Sequence, residues 1–411
     1  MKTSIYLFAG LFLLFTVAAC NDDDDMGLNL EVPETYVFTR GGVSTVAFSE
    51  QTTRIAMAEE LTAAMLDFDQ TRDGLMDMFT NAAGTDPFSA PELNASSNSI
   101  RSKVAASRDL FSANAAAAAR IKSDFDAWIF NQANEVFPNR NQLAAAEQAG
   151  QMADGDAIRY VSSWGLEYNQ ALAKSLVGAL MYDQAANHYL SSAVLFEGSN
   201  QTNNDAVITA DGTSYTTMEH LWDEAFGYLF GASANPAEPL TDIGEADNFL
   251  NEYVGKVADQ GSFTAVAQIT ERSFRTGRAA IVAGQYDTEV IRQTIMIRAE
   301  LNKVLAARAS YYLCEATADL EASPANKGGA FHALSKAYGF IYSLRFIAQN
   351  SGNFVPADFT IISDILLSDL RNENDFGFWG LNADEIRNVN NALQLAAVTA
   401  GIYPSAAFFC D

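Results

Sequence analysis

Apolar residues recur three and four apart along most of the chain, among good helix formers, in the runs 54–68, 101–137, 157–190, 217–230, 247–259, 288–320, 330–347 and 385–399. Stretches rich in Pro and Gly separate them, as in "GTDPFSAPELN", "GASANPAEPLTDIG" and "EASPANKGG". Between Leu176 and Tyr182 the run is apolar almost all round, which predicts a helix buried on every side. The run from Thr288 carries Val290, Ile297, Leu301, Val304 and Leu305 on one stripe, with Arg308 following on the same face. Upstream, "TYVFTRGGVSTVAF" alternates aromatic and β-branched residues around Arg40-Gly41-Gly42 and predicts a short hairpin. The expected fold is all-α: an antiparallel helical bundle, single or two packed side by side, with a short N-terminal β-hairpin. No internal repeat is convincing.

The helix predicted over 217–230 divides most clearly. Met218, Leu221, Trp222, Ala225, Phe226 and Leu229 fall on one side, and Glu219, His220, Asp223, Glu224 and Gly227 on the other. Thr216 with Glu219 makes a capping box, so Glu219 has a structural task. His220, Asp223 and Glu224 lie three and four residues apart and can point at one spot. No Lys or Arg interleaves these acids, and Gly227 sits mid-face, where a solvated helix gains from almost any other residue. Something therefore approaches closely, either another helix bringing an arginine, or a metal or ligand.

The N-terminal end of the chain adds a location. Lys2, an apolar run from Ile5 to Ala18 and then Val17-Ala18-Ala19-Cys20 describe a lipoprotein signal over residues 1–19, with Cys20 the lipidated first residue of the mature chain. The run is shorter than the roughly 20 residues a bilayer core needs. Asn21-Asp22-Asp23-Asp24-Asp25 opens an acidic tether over residues 20–34, and residues 35–411 form the body. Such an acidic start resembles the signal that sends some Gram-negative lipoproteins to the outer face of the outer membrane; a simple spacer is the alternative. The membrane is then a partner through the anchor, at the cell surface or the periplasmic face.

Charge narrows the partners further. Lys and Arg number 25 against 51 Asp and Glu, a formal net charge of −26. That surface repels phosphate backbones, which argues against nucleic acid and tilts slightly towards cations. With Cys20 lipidated, Cys314 and Cys410 remain in an oxidising compartment, either as a disulfide or as unrelated cysteines.

Two further constellations carry chemistry. His188 follows Asp183-Gln184 and Asn187 at the end of the buried run; it either completes a site with His220 or helps to cap that helix. Glu167, Gln170 and Lys174 share a face of the same run, and Arg308 lies on an apolar stripe. Buried charges need partners, so Glu167, Lys174 and an arginine form either a cross-helix network or the lining of a ligand pocket. There is no HExxH helix, nucleophile elbow, Walker loop or dinucleotide fingerprint, and nothing argues for catalysis.

The segments "HLWDEAFGYLFG", "GLEYNQALAKSLVGALMYDQ" and "AYGFIYSLRF", with "TYVF" and "QTTR", resemble an uncharacterised domain family of Gram-negative lipoproteins close to the imelysins. The resemblance implies a two-bundle helical envelope protein linked to iron uptake. The imelysin Gly-x-His-x-x-Glu motif falls on Met218, His220 and Asp223, where only the histidine matches. These features point to a lipid-anchored envelope binding protein for a metal ion or metal complex, with His220, Asp223, Glu224 and His188 as metal ligands and iron or another divalent ion as cofactor. The alternative is a structural or partner-binding surface lipoprotein without a small ligand, its partner an unidentified envelope protein. A hydrolase with an unrecognised site is a third.

Overall fold

The run with Arg308 on its stripe becomes the longest helix of the computed structural model, which describes residues 30–261, 263–347 and 356–403. The signal, Cys20 and most of the tether, and Cys410 at the other end, lie outside the described residues. Ten helices carry the description: α1 Ser49–Ala64, α2 Ala115–Asn131, α3 Tyr168–Leu176, α4 Thr217–Phe230, α5 Leu250–Ala258, α6 Val266–Val282, α7 Ile291–Glu321, α8 Lys327–Ser343, α9 Pro356–Arg371 and α10 Ala383–Thr399. Shorter helical turns join them.

α7 and α8 pack along their lengths across a short link, as an antiparallel pair. Asn326 starts α8 by accepting from Gly329 N at 3.2 Å. α3 and α10 lie against this pair, and α6 packs on α7. α3 continues through π-helical turns at Val177–Tyr182 and Ala185–Tyr189, all buried at Val177–Tyr182 as its all-round apolarity predicts. Gly178 lets this segment touch α8, where its N–H donates to Ser343 Oγ at 3.1 Å.

The expected hairpin is present as β1 (Thr39–Arg40) and β2 (Val43–Ser44), paired antiparallel. A second hairpin was not expected. β3 (Gly150–Asp154) and β4 (Ala157–Val161) pair antiparallel, so residues 157–161 are strand where helix was predicted. "AIRYV" alternates at period two behind the Gly155 turn, a signal hidden by the strong helical pattern downstream. The run 101–137 is likewise broken, with α2 beginning only at Ala115. α6 and α9 were missed because Thr, Ser, Gly and Arg dilute the apolar spacing of the one and a loop-like approach precedes the other. Among the described residues no helix is long and apolar enough to cross a membrane.

Candidate functional site

The acidic side of α4 is not its wet side. Glu219, Asp223 and Glu224 are buried along with most of the apolar residues, Leu221 is half-buried, and the side chain of His220 is about a third exposed. The capping box is formed: Glu219 N donates to Thr216 Oγ1 at 3.3 Å and Thr216 N to Glu219 Oε2 at 2.7 Å.

The close approach comes from two directions. Gly227 faces α1, where a Cβ would fall 2.5 Å from Phe48 Cβ. On the acidic side α6 delivers Arg278, which is fully buried. Its Nε donates to Asp223 Oδ1 at 3.0 Å, its Nη1 to Glu219 Oε1 at 3.1 Å and its Nη2 to Thr45 Oγ1 at 3.0 Å. Arg40 adds a bidentate pair to Glu219 at 2.9 and 3.0 Å, and the Tyr36 hydroxyl donates to Asp223 Oδ1 at 2.7 Å. The N-terminal hairpin segment is thus clamped to α4, with the Tyr36 ring stacked on Phe226 at 3.7 Å.

The two carboxylates respond differently. Burial works to raise both; two guanidiniums and the capping N–H hold Glu219 below the usual range, whereas Asp223, deeper and with one guanidinium, is pushed up to about 6. Glu224 accepts from Gln51 Nε2 at 2.9 Å. His220 Nδ1 donates to the Ala47 carbonyl at 3.1 Å, which leaves Nε2 3.8 Å from Glu224 Oε2.

His188 is engaged elsewhere: its Nδ1 accepts from Arg108 N at 3.2 Å, and burial lowers its pKa to about 4. Asp183 takes the N–H groups of Ala106 and Ser107, both at 3.1 Å. Among the described residues no group of three or more His, Cys, Asp or Glu is placed to hold a metal ion. The expected quartet of His220, Asp223, Glu224 and His188 therefore does not fit a divalent cation: Asp223 is neutralised by Arg278, and His188 Nδ1 accepts a backbone N–H. The acidic side chains of this helix serve its attachment to α1, α6 and the hairpin segment.

The expected Glu167–Lys174–Arg308 set divides as well. Glu167 Oε2 meets His332 Nδ1 at 2.8 Å, away from Lys174. Lys174 and Arg308 do come together, across the ring of Tyr253. The Lys174 ammonium lies 5.0 Å from that ring's centroid, the Arg308 guanidinium 5.5 Å and the Lys256 ammonium 5.3 Å. Arg308 also lies 4.1 Å from the Tyr311 ring and 4.5 Å from Tyr312, and Lys336 lies 5.0 Å from Tyr312. Four helices, α3, α5, α7 and α8, supply these groups.

Lys174 is 8% exposed and Arg308 4%, and the buried Arg308 Nε has no hydrogen-bond partner among the described residues. Burial lowers the Lys174 pKa to about 8; Glu252 opposes the shift, while Lys336, Lys256 and Arg308 add to it. Glu252 is itself paired with Lys256. Sequence reasoning missed Arg278, although its place one turn after Phe274 and three residues before Ile281 set a cation on an apolar stripe. It also missed Tyr253, Lys256 and Lys336, which only tertiary packing brings to Lys174.

A family model described as a domain of unknown function (DUF4856) matches residues 33–402. No curated protein and no solved structure matched the chain. The match spans α1 to α10, both hairpins and every residue of the two clusters, and the chain belongs to the DUF4856 family.

Proposed function

We propose that the protein is a lipid-anchored binding protein of the cell envelope, carried on the outer membrane by Cys20, and that its ligand is an anion held at the Tyr253 cluster. The observation that carries this reading is the meeting of Lys174 and Arg308, both buried, on one tyrosine ring, with no carboxylate among the described residues bonded to either. Burying uncompensated charge is costly, and in a chain of net charge −26 there was no shortage of acids to pair with them. An incoming anion would supply the missing partner.

An imelysin-like role in metal uptake is the finer form of the proposal, and the cluster favours a metal bound within an anionic chelate over a bare cation. The test is isothermal titration of the purified full-length protein with citrate and, separately, with Fe2+ and Zn2+. Saturable citrate binding that is lost in Lys174→Met supports the proposal. Metal binding that is lost in His220→Ala, with no response to citrate, would overturn it. Labelling of cells with alkynyl palmitate tests the anchor: label should be lost in Cys20→Ala, and label retained there would contradict it.

A further inference from the structure

The Tyr253 cluster also constrains how much charge its ligand carries. Around Tyr253 and Tyr312 stand four cations, Lys174, Lys256, Arg308 and Lys336, and the carboxylate that acts most on Lys174 is Glu252. Glu252 is paired with Lys256 one turn along α5 and acts on Lys174 only through space, so Lys336, Lys256 and Arg308 still bear on Lys174. A single negative charge would leave most of that repulsion in place. Two or three would remove it.

The geometry also limits how a ligand is held. Arginine and lysine are donors only, and the unpaired Arg308 Nε adds a buried N–H that requires an acceptor. The tyrosine rings already carry cations, so what remains to offer is charge and donated hydrogen bonds rather than a bare stacking platform. The cations are held in place: a Cβ at Gly339 would sit 2.6 Å from Lys174 Cβ, so the α8 backbone presses on the root of that side chain. Arg308 is sandwiched among three tyrosines. Lys256, whose side chain is 46% exposed, and Tyr311, at 43%, bring the cluster to the surface.

We propose that Lys174, Arg308 and Lys336, set against Tyr253 and Tyr312, form a binding site for a small, freely diffusing oxyanion carrying two or more negative charges, such as phosphate or a polycarboxylate. This rests on the anion-binding reading above and adds the charge class. Lys174 and Arg308 lie below the surface, beyond the reach of a headgroup fixed in a bilayer, so the source is a solute rather than a lipid.

The probes are inorganic phosphate, citrate and acetate, titrated calorimetrically into the full-length protein at pH 7 and constant ionic strength set with chloride. Phosphate and citrate should each saturate one site, with acetate at least tenfold weaker. Lys174→Met and Arg308→Gln should each weaken phosphate tenfold or more while unfolding as cooperatively as the parent protein, and vesicles containing phosphatidate should not displace it. Acetate binding as tightly as phosphate, with both lost in Lys174→Met, would overturn the charge class and leave the anion reading standing. No response to any of the three would overturn both. Phosphate binding that survives in a folded Lys174→Met would overturn the location, and displacement by phosphatidate vesicles would overturn the free solute.

Discussion

Arg278 Nε lies 3.0 Å from Asp223 Oδ1, and neither side chain touches solvent. This contact explains why the acidic side of α4 has no lysine or arginine of its own: the positive charge comes from α6. An arginine from another helix was one of the neighbours expected for that acidic face, and Arg278 takes up Asp223 Oδ1.

Removing the arginine strands two buried carboxylates. Arg278→Leu is expected to cost about 3–5 kcal/mol, because the penalty of unpaired buried charge exceeds the worth of the pair itself. Equilibrium urea unfolding measures it, and a loss below about 1 kcal/mol would show that Glu219 and Asp223 are held mainly by Arg40, Tyr36 and the helix cap.

Gly227 is a steric requirement of the α1–α4 contact. Gly227→Ala gains helix propensity of about 1 kcal/mol but drives a methyl group to 2.5 Å from Phe48 Cβ, so a net loss of about 1–3 kcal/mol is predicted. Thermal unfolding should register a lower Tm; a higher one would mean that Phe48 moves aside freely.

Lys174 offers a test that separates a binding site from a structural one. Replacing a buried, unpaired ammonium by an apolar side chain of similar length should stabilise the unliganded protein, by about 1–3 kcal/mol, while removing anion binding. A destabilised Lys174→Met would indicate that the lysine holds the fold together.

His188 predicts a slope in acid. Its folded pKa, near 4, lies below the unfolded value of about 6.5, so its stabilising contribution is complete above that value and is lost as pH falls from about 6.5 towards 4. His188→Gln, which retains a side-chain acceptor for Arg108 N, should flatten this part of a urea-midpoint profile relative to the parent. An unchanged slope would place the acid response elsewhere.

The bundle was legible where one period dominates. The all-round apolarity of Leu176–Tyr182 and the Thr216–Glu219 capping box both carried through to the structure. β3 and β4 were obscured because five residues of period two adjoin a much longer helical run. At the site, sequence spacing showed that Gly227 needs a close neighbour and that an arginine was one candidate for the acidic face. It could not name Arg278, because the partner of a buried charge is chosen by packing between elements far apart in the chain. Pairing Lys174 with Glu167 by helical spacing failed for the same reason: His332 of α8 reaches Glu167 first. Cys314 and Cys410 stand as they did, since Cys410 lies outside the described residues.

The most direct measurement is anomalous diffraction from crystals of the protein soaked separately in selenate and in Mn2+. A selenium peak between Lys174, Arg308 and Lys336, with no manganese peak at His220 and Glu224, is the predicted result. A manganese peak on α4, with the Tyr253 cluster lacking selenium, would contradict it.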